Sequence, residues 1–503
     1  MYGALRLASA LCFGLVCACG GDSGNDGPDA SGELEVTLRL VDNPQSTLSA
    51  LATVDTTWEC RVELEFWSDD TAPQRTWRSL AGRVHDIPVV GMRPETTYTV
   101  RAIAYGAGGD SVDGGAGGDG VEVGVSAEHE YTTGSVPPEI PPFEVTTYDA
   151  SRVQPGVTFF VPIEAPFDFF ADTLTYVGVD TDGEVVWYYQ TAIETPRVNP
   201  ITRLLPDGTL LVGIYHGFRN ITVAGETLWE ITADDVGLDG FHHDAALLPN
   251  GNLMVIGGSR QTIDVPALGG LVEVDSDSLY EVTLDGEVVW EWGYVDHMGD
   301  QRYPGPLAQT ANLGGGYELT HANAVVYLPE DDTILFSVRN QSWILKIDRG
   351  TGDVVWTLGD EGDFVLTNED ASSLHTWFYS QHAPELHSDG SIFLYDNGND
   401  RLPLGEERFS RAVQYRLDET LMEAEVVWQY ETDVYTPILG DADLLPNGNV
   451  LVCVGGTGID GLTPAQIVEV TTDATPAEVW KLSYLGHILY RAEREPTLYV
   501  PLE

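Results

Sequence analysis

Lysine is almost missing from this chain. Lys346 and Lys481 are its only two, and 24 basic side chains stand against 79 acidic ones, for a formal charge of −55. Without a basic stripe the chain has no means of holding a phosphate backbone, which excludes a nucleic-acid partner. The acidity reads as a solvated surface suited to salty surroundings. Dense DxDxDG loops are also missing, so the carboxylates do not read as a calcium store. Cysteine is scarce too: Cys12, Cys17, Cys19, Cys60 and Cys453. Two of these fall in a segment expected to be removed, and Cys60 and Cys453 fall in different expected domains. Neither a disulfide framework nor a thiolate metal site follows. Apolar runs are short, and the N-terminal one, Leu7 to Val16, cannot span a bilayer.

What is present begins with a targeting segment. Arg6 precedes that apolar run, and Val16-Cys17-Ala18-Cys19 follows it. The pattern resembles a lipoprotein signal, with residues 1–18 cleaved and the thiol of Cys19 acylated. Residues 19–33, rich in Gly, Ser and Asp, then read as a flexible tether. An ordinary secretory signal is the alternative. Both imply export, to the periplasm or the cell surface; the lipoprotein reading adds membrane contact, through the lipid anchor only.

Gly (54) and Pro (28) are plentiful among short apolar runs, which favours many strands over long helices. Residues 34–134 read as a small β-sandwich. Glu33 to Leu40 and Arg61 to Trp67 alternate as half-buried strands do. Gly91 to Arg101, with Pro94 and Tyr98, resembles the late strands of fibronectin type III domains. Residues 135–147 form a stiff Pro-rich linker.

The remainder, 148–503, repeats. One signature is a hairpin ending in Trp187, Trp229, Trp290, Trp356, Trp428 or Trp480. The other is a turn: Leu205-Pro206-Asp207-Gly208, Leu248-Pro249-Asn250-Gly251, Leu328-Pro329-Glu330-Asp331, Ser388-Asp389-Gly390 and Leu445-Pro446-Asn447-Gly448. Turns between β-rich runs at a period of about fifty residues describe four-stranded blades. Six Trp hairpins imply six blades, with the indoles packed between them. The expected fold is all-β: a six-bladed β-propeller preceded by a small fibronectin type III-like β-sandwich.

Three of these repeats carry a histidine ahead of the turn. With the turns aligned, His243, Asn323 and His382 share one register. His321 lies two residues before Asn323, on the same face if the strand alternates. Arg339 lies eight residues past Asp331, and His216 takes the same offset from Gly208. A propeller turns shared register into a spatial cluster, so His243, His321, Asn323, Arg339 and His382, with His216 as an additional candidate, are expected around one channel. Arg offers a planar, permanently charged fork for a tetrahedral oxyanion. Asn and His donors complete the cradle, a second His can protonate a leaving oxygen, and a neutral imidazole can attack sulfur or phosphorus. Three histidines also suit zinc, but Arg339 would set a fixed positive charge beside the ion, so no metal is assigned.

Residues ~148–490 resemble the bacterial arylsulfate sulfotransferase family, the type that uses no activated nucleotide donor. The resemblance rests on His321-Ala322-Asn323 with Ser337-Val338-Arg339 and Thr351 to Gly359. It rests also on His382 with Ile392 to Gly398, and on His242-His243-Asp244 with Leu248 to Asn252. It implies ping-pong transfer from an aryl sulfate donor to a phenol acceptor, without a cofactor. His382 takes the nucleophile's place and forms a transient sulfohistidine. His321, Asn323 and Arg339 take the places of residues that bind the sulfuryl group and balance charge at the bridging oxygen. His243 takes that of a further sulfate-contacting or acid/base histidine, and Thr457 is the candidate for a threonine near the last blade. The chain departs from familiar members in its acidity, its lipoprotein signal and its lack of a cysteine pair near the site. An aryl sulfate hydrolase on the same site, and a non-enzymatic surface propeller that binds glycans or proteins, are the alternatives.

Overall fold

A computed structural model describes residues 34–106, 120–140, 142–164, 173–192, 199–265, 270–299, 317–401, 408–455 and 463–500. The Gly-rich loop after residue 106, the signal segment and the tether lie outside these residues.

The N-terminal unit is built on one long strand, Ala50–Trp67. Its first half pairs with Val36–Asp42 and Gly82–Val89, and its second half pairs with Thr97–Gly106. One strand therefore serves both halves, and the seven strands form one branched hydrogen-bonded sheet. Alternation sends Val54, Val62, Leu64, Phe66, Ile87 and Val100 inward. Tyr98, after the turn at Pro94, is fully buried, and its hydroxyl accepts the Arg93 amide at 2.9 Å.

Six sheets follow, each a blade. The first has Val157–Glu164, Thr173–Val179 and Val185–Ala192, with the C-terminal His487–Glu495 added on the inside. Blades 2, 3 and 4 begin at Thr202–Leu204, Phe241–Leu247 and Ala322–Leu328; blades 5 and 6 begin at His382–Leu386 and Asp441–Leu444. Glu144–Tyr148, at the end of the Pro-rich stretch, adds a fifth strand to the outside of blade 6. The ring is thus clasped from both ends of the domain, which leaves few free edges. Neighbouring inner strands touch around the axis from blade 3 through blades 4, 5, 6 and 1 to blade 2.

The repeated turn joins each inner strand to the next. In blade 3 the Gly251 amide donates to the Leu248 carbonyl at 2.9 Å, and Gly251 has φ 84°, which a glycine adopts freely. Blade 4 has Asp332 in the left-handed region instead, at φ 53°.

The six repeat indoles pack between neighbouring blades as expected, and two of them also hydrogen-bond across. Trp187 Nε1 donates to the Val223 carbonyl of blade 2 at 2.8 Å, and Trp480 Nε1 to Thr181 of blade 1 at 2.7 Å. In blade 3 the stapling indole is Trp292, bonded to Gly352 of blade 4 at 2.9 Å, whereas Trp290 is half-buried. Past the closing strand, Leu498 and Tyr499 enter the sandwich core, and the Tyr499 hydroxyl accepts the Val90 amide at 2.7 Å. Sandwich and propeller thus share a hydrophobic core.

Candidate active site

The inner strands of blades 3, 4 and 5 are bulged at the histidines. Pairing is interrupted between Phe241 and Ala245, between Ala322 and Ala324, and between His382 and Glu385. A residue at or just before each interruption is left-handed: His243 (φ 64°), His321 (φ 47°) and Ala383 (φ 47°). Such positions cost about 1–3 kcal/mol each and persist where surrounding structure enforces them. The bulge re-aims the side chains. Strict alternation therefore fails in blade 4. The His321 ring meets His243 edge-on, with centroids 5.0 Å apart, while Asn323 is fully buried and donates from Nδ2 to the Gln381 carbonyl at 2.7 Å.

His382 is 2% exposed. Its Nδ1 lies 2.6 Å from Oδ1 of Asn397. The Asn397 amide nitrogen donates to the carbonyls of Thr436 (2.7 Å) and Leu439 (2.9 Å), so its oxygen is fixed as the acceptor. The proton of His382 must then sit on Nδ1 and the lone pair on Nε2. The Leu439 amide, which points at Nε2 from 3.3 Å, requires the same tautomer. Burial, and then the positive charge of Arg339, hold His382 well below the ordinary imidazole range. It is a neutral base with a defined lone pair.

Arg339 begins a short turn after the strand Thr333–Val338. Its Nη2 donates to the Pro437 carbonyl and its Nη1 to Asn340 Oδ1, both at 2.9 Å. Its buried Nε has no protein acceptor. Burial pulls the guanidinium somewhat below its ordinary value, opposed by the charge of Glu318. Glu318 in turn takes His321 Nδ1 at 2.6 Å. Burial pushes its carboxyl up, but the bond to and charge of His321 hold it below the usual carboxylate range.

The closing strand of blade 1 supplies the rest. Arg491 ion-pairs with Asp244 at 3.1 Å and donates to the Asn323 carbonyl at 2.8 Å. The Tyr490 hydroxyl donates to the same carbonyl at 3.3 Å, and its ring lies 5.8 Å from that of His243 and 6.5 Å from that of His382. Burial, followed by the charges of His242, His321, His382 and Arg491, lowers His243 well below the usual imidazole range. Two guanidinium groups and three imidazoles from four blades surround one space. That set suits a small, multiply charged oxyanion.

His243, His321, His382 and Arg339 are therefore brought together, with Asn323 against them. His216 is left-handed at φ 48°; its ring stacks on Tyr215 at 4.1 Å and covers Gly240. Thr457 and Cys19 lie outside the described residues. Among the described residues, no group of three or more His, Cys, Asp or Glu is arranged to hold a metal. Sequence reasoning missed Glu318, Tyr490, Arg491 and the roles of Asn397, His242 and Asp277. Glu318, three residues before His321, was the one local signal for a paired imidazole.

The profile of the family described as arylsulfotransferase (ASST) matches residues 144–491. The arylsulfate sulfotransferase AssT of Escherichia coli O6:H1 is 24% identical over 382 residues, which cover 65% of this chain and 59% of that protein. The arylsulfate sulfotransferase AssT of Lelliottia amnigena is 27% identical over 210 residues, 36% of this chain and 35% of that protein. The chain spans about half the length of the curated relatives it matches. A solved luciferin-regenerating enzyme aligns with 71% of this chain and 100% of its own at 11% identity, but its TM-score of 0.34 carries no argument. The family match runs from the outer strand added to blade 6 through the Arg491 that closes blade 1, so it takes in the whole ring and every arginine and histidine of the cluster: the chain belongs to the arylsulfotransferase family.

Proposed function

We propose that the chain moves a sulfuryl group from a phenolic sulfate ester to a phenol through a sulfohistidine at His382. The observation that carries this reading is the Nε2 lone pair of His382, fixed by Asn397 and set beside Arg339. In the first half-reaction Nε2 leaves the long contact with the Leu439 amide and attacks sulfur. The S–N bond forms as the S–O bond to the aryl group breaks, and the electron pair stays on the aryl oxygen, which takes a proton from a pocket imidazole. The acceptor phenol then attacks the same sulfur, gives up its proton, and returns the S–N pair to His382. Arg339, the second Nδ2 hydrogen of Asn323 and the His321–Glu318 pair bind the sulfuryl oxygens and balance charge at the bridging oxygen. The donor ester is already activated by its aryl leaving group, so the route needs no cofactor. Export as a lipoprotein acylated at Cys19 is part of the same proposal, and loss of lipid labelling in Cys19→Ala tests it.

The purified chain is incubated with 4-nitrophenyl sulfate, with and without phenol. Nitrophenol release stimulated by phenol, with a sulfuryl-sized mass gain on the peptide holding His382, is expected. Release that phenol does not stimulate would make the site a hydrolase. No release, with His382→Asn equally silent, would leave a binding propeller.

A further inference from the structure

Beside the nucleophile, the site holds a second chain of polar contacts that the reaction above does not use. Asp277, on the strand Gly270–Val282 of blade 3, is 7% exposed. Its Oδ2 accepts the Thr320 hydroxyl at 2.7 Å and the Ala322 amide at 2.5 Å. Its Oδ1 lies 3.0 Å from His242 Nε2. His242 Nδ1 lies 2.7 Å from His243 Nδ1. Both histidines occupy the bulge that opens the blade.

The partners dictate the protons. A carboxylate only accepts, so Nε2 of His242 carries hydrogen toward Asp277. Neutral His242 then has its lone pair on Nδ1, and the 2.7 Å contact requires His243 to donate from Nδ1. That leaves the Nε2 lone pair of His243 bare, on a ring 5.0 Å from His321 and in electrostatic reach of His382. We propose that Asp277 and His242 are positioning residues that make His243 the base for the acceptor hydroxyl and remove the proton it takes. This rests on the sulfotransfer reading above and deepens it.

As the phenol oxygen bonds to sulfur and the S–N bond returns its pair to His382, the phenol proton passes to His243 Nε2. The proton on His243 Nδ1 crosses to His242 Nδ1. The positive charge then rests on His242, against the Asp277 carboxylate. With that proton held on His242, the same steps run backward at the next donor, protonate its leaving aryl oxide and restore the neutral relay. The relay answers a difficulty of the pocket: burial, the other imidazoles and Arg491 disfavour a cation on His243 itself. Asp277 is suited to receive the charge. Burial opposes its ionisation, but His242 and the bonds from Ala322 and Thr320 hold its carboxyl below the usual range.

The test is acceptor-dependent turnover of the full chain and of Asp277→Asn and His242→Gln. Two acceptors are compared, phenol and a nitrophenol already ionised at the assay pH. With phenol, both variants should lose about 10²-fold in kcat. With the ionised acceptor, which has no proton to give, the loss should shrink to within about threefold, and donor-dependent sulfation of His382 should persist. Equal losses with both acceptors would reduce the pair to a structural role, and no loss with either would dismiss it. Thermal melts guard against a misfolded Asp277→Asn, and His242→Gln, which keeps a polar side chain, carries the comparison if that variant does not fold. Absence of sulfated His382 in the unaltered chain would instead overturn the sulfotransfer reading, and the relay with it.

Discussion

Arg339 and His382 are tied to one bend, two residues apart. Arg339 Nη2 holds the Pro437 carbonyl at 2.9 Å, and His382 Nε2 receives the Leu439 amide at 3.3 Å. Leu439 is itself left-handed, at φ 63°. The guanidinium and the imidazole come from blades 4 and 5, but this bend, leading into blade 6, fixes their spacing. Burial and a permanent charge so placed keep the imidazole unprotonated.

That placement sets a pH dependence. His382 lies well below the ordinary value near 6.5, so it binds a proton only in more acidic solution. The acid limb of kcat/KM should fall below pH ~6.5. Arg339→Gln removes the neighbouring charge, which raises the His382 pKa and moves the limb upward. It should also cost about 10²–10³-fold in rate. A limb that stays in place, or moves further into acid, would contradict the electrostatic account.

Glu318 should matter in proportion to leaving-group basicity. Glu318→Gln keeps an oxygen near His321 Nδ1 but removes its charge. Turnover should fall about 10–100-fold for sulfate esters of unactivated phenols, and far less for 4-nitrophenyl sulfate. A uniform loss across a donor series would show that Glu318 only shapes the pocket.

Tyr499 should anchor the sandwich to the ring. Tyr499→Ala should destabilise the chain by about 3–5 kcal/mol through the cavity it leaves. Tyr499→Phe, which removes only the bond to Val90, should cost about 1 kcal/mol. Urea unfolding checks both; two variants equal to the unaltered chain would deny the junction any energetic role.

Salt should stabilise the protein. At −55 the surface repels itself, and raising ionic strength from about 0.01 M to about 1 M shortens the screening length from roughly 30 Å to 3 Å. The melting temperature should rise over that interval. A fall would mean that pairs such as Arg39–Asp55 outweigh the net repulsion.

The blade count was legible because each repeat advertises itself twice, by a Pro-Asn-Gly-type turn and by a Trp hairpin. The cluster was legible because shared register becomes proximity once the ring closes. Three things were not. The bulges at His243, Asn323 and Ala383 leave no trace in composition, so alternation gave the wrong facing for Asn323. The closing strand has no such turn ahead of it, which hid Tyr490 and Arg491. Trp290 and Trp292 sit two residues apart on one strand, and only packing decides which of them reaches blade 4.

The strand that closes blade 1 is also the one that delivers Arg491 and Tyr490 to the pocket. An unlatched ring would have a gap in its wall and an anion cradle short of one guanidinium. Completion of the pocket and mechanical closure are therefore a single event, reached only when segments more than three hundred residues apart in the chain have met. Such long-range pairing is slow. The appearance of turnover during refolding should thus serve as a clock for the last latch, lagging any spectroscopic sign that the individual blades have formed.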